Sequence, residues 1–413
     1  MKVLHIGYSD SGGAGKGMLA LHKAMKRVGI ESKILVAVKV SFDDDIFSAE
    51  QNLNLFSYSS NRLCRLFQRM VRVFGWRLNQ VEKYKRMIKQ IPASHSHYFT
   101  FPITHFDISQ HSLVKDADVI HLHWIADFVD FPSFFHSITK PIVWTLRDEN
   151  PGLGGFHYEA AKSEYESCYA SIEKDFLEIK RKSMSGCNNI TLVAMSDIMA
   201  SFCANNEILK SFPVKRIDNL VDLTLYKSID PSLAKSVLGL ERNVFIVMFV
   251  SVTLGDSRKN LAIVYEAIKR LPFKTMLMCV GKNDFFSAVP EDVICLNSVD
   301  SARIMSAIYS AADVFVTPAT QESFGKTTVE SLSCGTPVIS SRAGIAPEVI
   351  TSENGIILDE ISVDAVTKAL LEVHDRKYNA DTIRKVALER FDPNRIVNEY
   401  IELYKELYKK NLS

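Results

Sequence analysis

The feature that most limits what this chain can fold into is a doubled alternation of short apolar runs with stretches of helical periodicity. In the first half the runs are Lys2–Gly7, Lys33–Val38, Ala117–Trp124, Pro141–Leu146 and Ile190–Ala194. In the second half they are Val244–Val252, Thr275–Gly281, Val293–Leu296, Asp313–Thr317, Pro337–Ser340 and Gly355–Leu358. Rich in valine and isoleucine and without polar alternation, they suit parallel strands buried on both faces. Two such sets predict an α/β chain of two doubly wound, parallel-sheet, Rossmann-like domains. Irregular polar sequence around Val214–Leu240 interrupts the periodicity, so domains are expected over residues 1–215 and 216–392. Residues 393–413 form a third piece. There Ile396, Val397, Tyr400, Ile401, Leu403, Tyr404 and Leu407 recur at three- and four-residue steps, predicting an amphipathic helix over Asn394–Asn411.

Composition narrows the function classes. The 413 residues carry a net charge of +1, which gives no electrostatic case for nucleic acid. The cysteines at 64, 168, 187, 203, 279, 295 and 334 are scattered and form no C-x-x-C pair. That fits neither a zinc site nor a disulfide framework, and points to a reducing cytoplasm. The first residues do not read as a signal peptide, and no apolar window is long enough to span a bilayer. Residues 61–90 stand apart. Arg62, Arg65, Arg69, Arg72, Arg77, Lys83, Lys85, Arg86 and Lys89 face one acid, Glu82, with Leu63, Leu66, Phe67, Met70, Val71, Val73 and Phe74 interleaved. Such a segment suits the anionic inner face of a membrane, or a solvated basic face on its own domain.

After the first apolar run comes S-D-S-G-G-A-G-K-G, residues 9–17. It fails the P-loop pattern, because Asp10 and Gly17 stand where a glycine and a hydroxyl are required. It fails G-x-G-x-x-G as well, because Met18 stands at the third glycine. What remains is a strand running into a glycine turn that opens a helix over about Lys16–Val28, either a close approach to an anion or a tight turn without a ligand.

The most informative stretch is Asp313–Ile350. A buried strand ends at Thr317-Pro318, a polar loop follows, Gly325 opens a short helix, and Gly335 and Pro337 end it. The loop and helix start therefore lie at a strand's carboxyl end, where open α/β sheets bind ligands. Free N–H groups around Gly325–Thr328, with the Thr327 and Thr328 hydroxyls, suit a phosphate. Glu330 shares a helix face with Lys326, and Glu322 lies on the loop. Two carboxylates flanking a phosphate site describe a nucleotide sugar; a helix cap beside a solvated glutamate is the plainer reading of any one residue.

Glu322 and Glu330 have the E-x7-E spacing of retaining GT-B glycosyltransferases, and their surroundings resemble family four. The resemblance covers most of the chain. S-G-G-A-G is similar to that family's N-terminal glycine turn, with Gly12 and Gly13 near the donor phosphate. A-D-V-I-H-L-H-W and V-W-T-L-R-D-E-N-P-G-L-G-G-F-H-Y resemble segments that lead to the cleft, and G-D-S-R-K-N at Gly255–Asn260 resembles the D-x-R-K-G loop. The resemblance implies a GT-B fold, with the two domains facing a central cleft and the last helix crossing back to the N-terminal domain.

It also implies roles. Arg258 and Lys259 neutralise the departing diphosphate with the helix start at Lys326, Thr327 and Thr328. Glu330 holds ribose hydroxyls, while Glu322 with the backbone at Ser323, Phe324 and Gly325 holds the sugar. Glu322, Lys259, Arg147 and Asp148 are the expected catalytic set. No metal and no cofactor are expected beside the nucleotide-sugar substrate. The acceptor is a saccharide, lipid-linked if residues 61–90 meet an anionic membrane, as in bacterial cell-surface polysaccharide assembly such as lipopolysaccharide or capsule. Two departures stand out. Arg147 replaces the family's histidine in T-L-H-D and cannot act as a base near neutral pH; it is expected to bind an anion or pair with Asp148, with His121, His123 or His157 available for its task. Asn260 replaces a glycine. A catalytically silent saccharide- or partner-binding protein and a nucleotide-sugar epimerase on the same fold are the alternatives.

Overall fold

A computed structural model describes residues 1–49, 76–92 and 98–412. The chain divides into two compact units: Met1–Met195, Met199–Ile217 and Val397–Ser413 form the first, and Ser196–Ile198 with Asp218–Ile396 the second. The first holds β1 (Lys2–Ser9), β2 (Glu31–Val38), β3 (Ile46–Ser48), β4 (Val119–Leu122), β5 (Ile142–Thr145), β6 (Ile190–Ala194) and β7 (Val214–Arg216). The second holds β8 (Phe245–Thr253), β9 (Thr275–Lys282), β10 (Val293–Leu296), β11 (Val314–Thr317), β12 (Val338–Ser340) and β13 (Gly355–Ile357).

The sheet orders are β3-β2-β1-β4-β5-β6-β7 and β10-β9-β8-β11-β12-β13, with every pair parallel. Each sheet follows the Rossmann order 3-2-1-4-5-6, and its winding reverses between two central strands: β1 and β4 in the first, β8 and β11 in the second. Every strand expected from the sequence forms. The two that sequence patterning missed, β3 and β7, are the edge strands of the first sheet; β3 follows Asp43-Asp44-Asp45 and β7 is Val-Lys-Arg, so neither reads as an apolar run.

One face of the first sheet is a conventional apolar core. Leu4, Ile6, Ile120, Leu122, Trp144 and Leu192 pack with Phe128, Phe131, Phe134 and Phe135. The second sheet packs Val247, Phe249, Leu277, Val314, Val316 and Ile339 against Val264, Val366 and Leu370. The helix Pro393–Leu412 buries the expected stripe, from Ile396 through Tyr404. The helix Trp76–Lys89 packs Val81 and Tyr84 against Ile103, Ile172 and Phe176, and exposes Lys83, Lys85, Arg86 and Lys89. The remainder of the basic segment, residues 61–75, lies outside the described residues.

The other face of the first sheet packs Met18, Ile34, Val36 and Ile46 but carries a buried polar cluster at its centre. His5 on β1 is registered against His121 on β4. His121 hydrogen-bonds through Nδ1 to the Tyr404 hydroxyl at 2.6 Å and through Nε2 to Thr145 Oγ1 at 2.8 Å, and Thr145 in turn meets the Tyr400 hydroxyl at 3.0 Å. Arg147 Nη2 donates to His123 Nδ1 at 3.1 Å, and His123 Nε2 lies 3.0 Å from His5 Nδ1. A guanidinium only donates, so the direction of this chain is set. His123 carries its proton on Nε2 and gives it to His5 Nδ1, which leaves the proton of His5 on Nε2. Burial holds His5, His121 and His123 well below the ordinary histidine range, and Arg147 and the neighbouring rings add to that.

A histidine with a depressed folded pKa takes up its proton more readily in the unfolded chain, so stability falls as pH drops below the unfolded value near 6.5. Each of the three should contribute a loss of about 1.4 kcal/mol per pH unit below that point. Thermal unfolding followed between pH 7.5 and 5 should therefore show the midpoint dropping steeply below about pH 6.5. A flat profile there would mean that the histidines titrate normally.

Candidate functional site

In the second unit the switch point between β8 and β11 is where the residues singled out by sequence converge. The loop after β8 makes a 3-10 turn at Ser257–Lys259, with Asp256 as its cap. Asp256 Oδ1 accepts from Arg258 N and Nε at 3.1 Å, and Oδ2 from Nη2 at 2.7 Å, so the arginine is held at its base. Asn260 then adopts φ 57°, in the left-handed region. This accounts for the departure from glycine: asparagine is among the few other residues that tolerate this conformation. Its side chain adds a function glycine lacks, donating to Pro318 O at 2.8 Å and lying 3.2 Å from Thr320 Oγ1, while Thr320 N donates to Arg258 O at 2.8 Å. The loops from β8 and β11 are thereby stitched together.

That stitching brings Lys259 onto Glu322, where the two form an ion pair. Gly325, at φ +79°, starts the helix Lys326–Ser333, whose first turn carries no acidic residue. Ser323 and Phe324 are buried, and Phe324 O accepts from Ile345 N at 2.7 Å. Thr328 is buried and Thr327 partly so. Glu330 is 6% exposed, with Tyr309 Oη donating to it at 3.1 Å and Lys326 Nζ 3.4 Å away. Burial, and then the Glu330 charge, push the Tyr309 phenol well above its ordinary value, so it remains a donor. Arg258, Lys259, Glu322–Thr328 and Glu330 thus form one cluster at the carboxyl ends of two adjacent strands. Chemically it offers cations and backbone N–H groups for an anion, between two fixed carboxylates.

In the first unit the helix after the glycine turn spans Gly12–Arg27, one turn earlier than expected, so Gly12 and Gly13 are its first residues. Neither is sterically required, since a Cβ on either would meet nothing within 4 Å; Gly12 needs only its φ of +68°. The crowded glycines are Gly15 and Gly17, to which the sequence assigned no ligand role. A Cβ on Gly15 would lie 2.4 Å from Ser9 O, and one on Gly17 2.9 Å from Arg147 Nη1. Gly17 therefore makes room for the Arg147 guanidinium. Arg147 reaches His123 and, at 3.3 Å, Met195 Sδ. Asp148 spends Oδ2 on Trp124 Nε1 and His157 Nδ1, both at 2.6 Å, and Oδ1 on Asn150 N at 3.1 Å.

Sequence reasoning also missed Lys180, fully buried on the helix Glu159–Met184. Its ammonium donates to Asn150 O at 2.5 Å, Asn150 Oδ1 at 3.0 Å and Leu153 O at 2.8 Å. Burial lowers its pKa to about 7, against the opposing charges of Glu173, Asp148 and Asp127. Glu173, about two turns earlier on the same helix face, accepts from Gly154 N and Gly155 N at 2.7 Å each. Together they pin the loop between Asp148 and His157. Nothing in the local pattern marks a lysine on a long polar helix as buried.

Among the described residues, two groups have ligand atoms within 4.8 Å of one another, although no metal-binding spacing is visible in sequence: His5, His121 and His123, and His22, Asp43 and Asp45. In the first, His121 and His123 have both ring nitrogens in hydrogen bonds and Arg147 is adjacent. In the second, Asp45 is ion-paired to Lys26.

Residues 244–376 match the family described as glycosyl transferases group 1. This span contains the whole second-unit cluster. A D-inositol 3-phosphate glycosyltransferase from Mycobacterium sp. (strain JLS) is 28% identical over 167 residues, which cover 38% of this chain and 35% of the relative, so the match spans about a third of that protein's length. Sucrose-phosphate synthase from Thermosynechococcus elongatus superposes with a TM-score of 0.69 at 16% identity, covering 99% of this chain and 100% of the other. The Anabaena protein HepE, in complex with UDP and glucose, gives 0.65 at 17% identity, covering 98% and 99%. The fold is GT-B: two parallel-sheet, Rossmann-like domains.

The two kinds of glycine separate experimentally. Gly15→Ala should cost about 2 kcal/mol or more, because the new methyl meets backbone that has nowhere to go, whereas Gly13→Ala should unfold within about 0.5 kcal/mol of wild type. Denaturant unfolding of both variants checks this; equal stabilities would refute the close packing at Gly15.

Proposed function

We propose that this protein is a glycosyltransferase that moves a sugar from a nucleotide-sugar donor to a saccharide acceptor with retention and without a metal. The observation that carries the reading is the second-unit cluster. Lys259, paired with Glu322, and Arg258, braced by Asp256, stand beside a helix start between two held carboxylates, at the carboxyl ends of β8 and β11. Its place inside the span matching glycosyl transferases group 1 supports this, as does the resemblance of E-x7-E.

In this reading the departing diphosphate takes over Lys259 from Glu322, which frees that carboxylate to accept from sugar hydroxyls. Arg258 and the N–H groups of the first helical turn share the growing charge. Glu330, already oriented by Tyr309 and Lys326, accepts from ribose hydroxyls. The acceptor hydroxyl attacks on the face the diphosphate leaves, and its proton passes to a phosphate oxygen, so positioning and exclusion of water matter more than a strong base. Arg147 and Asp148 belong to the acceptor side, Arg147 as a fixed cation. The basic segment of residues 61–90 favours a lipid-linked acceptor at an anionic, cytoplasmic membrane face, as in cell-surface polysaccharide assembly. Among the described residues no helix is long and apolar enough to cross a membrane.

Calorimetric titration of UDP, GDP and ADP tests the donor site. One of them should bind, and Glu330→Ala should weaken it about tenfold, the equivalent of about 1.4 kcal/mol in lost hydroxyl hydrogen bonds. Lys259→Ala should lower kcat/KM for sugar transfer by about a hundredfold or more. If no nucleoside diphosphate binds, the silent-scaffold alternative replaces this reading; donor conversion without an acceptor would identify the epimerase.

A further inference from the structure

We propose that the open face of Tyr98 is a stacking platform for a pyranose ring of the acceptor. The proposal rests on the reading of the chain as a transferase with a saccharide acceptor, and deepens it by naming a side chain that selects that substrate.

Tyr98 is 58% exposed, yet it is mounted on a rigid base. Its ring lies over His157, with centroids 5.0 Å apart and planes 28° from parallel, and over Trp124 at 6.2 Å and 12°. Trp124 and His157 stack on each other at 5.4 Å, and Tyr8 closes the far side of Trp124 edge-on at 5.7 Å. Both polar edges of the lower layer are turned inward onto one oxygen, Asp148 Oδ2, at 2.6 Å each. The two rings under Tyr98 can therefore neither rotate nor slide without breaking a short bond to a buried carboxylate.

The chain that follows Tyr98 is fixed as firmly. Phe99 stacks on Tyr169 at 4.7 Å and meets Phe156 at 4.9 Å, and Gly155 could not carry a Cβ because the Phe99 ring would lie 2.2 Å from it. Thr100 N donates to Gly155 O at 3.0 Å. Phe101 N donates at 2.6 Å to Asp127, which is itself held at a φ of 56°. Aspartate, like asparagine, tolerates that conformation, and here it lets the side chain reach back to the Phe101 N–H. Stacking and a buried carboxylate thus hold an aromatic ring that is more than half exposed.

The platform also stands in the right place. Tyr8 lies at the carboxyl end of β1, Trp124 just after β4, and Arg147 and Asp148 just after β5, so the wall sits at the switch point of the first sheet. An aromatic face carries negative charge density, and the polarised C–H groups on one side of a pyranose complement it, while the ring hydroxyls remain free to bond at the rim. The Tyr98 phenol stays protonated, pushed up to about 12 by burial and by Asp127, Tyr8 and Asp148, and so can donate there.

The test is saturation-transfer NMR on the full chain, with methyl α-D-glucopyranoside, methyl α-D-galactopyranoside, methyl α-D-mannopyranoside and uridine as separate probes. At least one glycoside should receive saturation, strongest at the C–H protons of one ring face. Affinity should fall about tenfold in Tyr98→Ala and in Tyr98→Leu, which keeps apolar bulk without the π face, and persist in Tyr98→Phe. Tyr98→Leu also guards against a fold defect in the alanine variant. No transfer to any glycoside in the wild type, transfer that survives both Tyr98→Ala and Tyr98→Leu, or a Tyr98-dependent signal from uridine instead would each overturn the proposal. UDP, GDP and ADP titrated into the same samples separate the two claims. Binding of one of them without glycoside binding removes the platform and leaves the transferase reading, whereas Tyr98-dependent glycoside binding without any nucleoside diphosphate removes the transferase reading and leaves a saccharide site.

Discussion

Reversal of winding in a parallel sheet is the constraint on which the rest of this molecule depends. Where β8 meets β11, and again where β1 meets β4, the connections leaving two neighbouring strands go to opposite faces of the sheet. Their loops part at the carboxyl end, and no helix can cover the gap without breaking the right-handed crossover rule. Each sheet therefore carries one place where backbone N–H groups, helix starts and loop side chains meet unshielded. Chemistry-bearing residues collect there because the topology leaves them nowhere else to converge.

In the second unit the gap is organised by backbone more than by side chains. Asn260 turns the chain through a left-handed step and ties the β8 loop to Pro318 and Thr320 in the β11 loop. Only then does Lys259 meet Glu322. Gly325 provides a second left-handed step that aims the next helix. The side chains at both ends of the cluster are restrained before any ligand arrives, Arg258 by Asp256 and Glu330 by Tyr309 and Lys326. Restraint of this kind lowers the conformational cost of binding and keeps charge where a leaving anion would need it.

The first unit reaches a comparable rigidity by burying polar groups. Arg147 sets the proton positions on His123 and His5, Tyr404 and Thr145 hold His121, and Lys180 and Glu173 fasten the loop between Asp148 and His157. Buried polar networks specify one arrangement strongly because any misplaced member leaves an unsatisfied group at low dielectric. Arg147 is therefore integrated into the protein, with Gly17 leaving room for it.

The sequence by itself determined the sheets. Apolar runs such as Val244–Val252 and Asp313–Thr317 report local burial on both faces, a property each segment carries in its own composition. It also marked the second-unit cluster, because Gly255–Asn260 and Glu322–Glu330 are short segments whose spacing survives folding unchanged. It was silent where partners are distant in the chain. His5 and His121, Lys180 and Asn150, Gly15 and the Ser9 carbonyl, Tyr98 and Trp124 are brought together by sheet register and loop packing. The edge strands β3 and β7 were missed because acidic or basic neighbours break their apolar runs, whereas the equally short β12 and β13 keep theirs. Tertiary structure decided those pairings because burial and hydrogen bonding between remote residues depend on which strands lie side by side, a quantity that no local window contains.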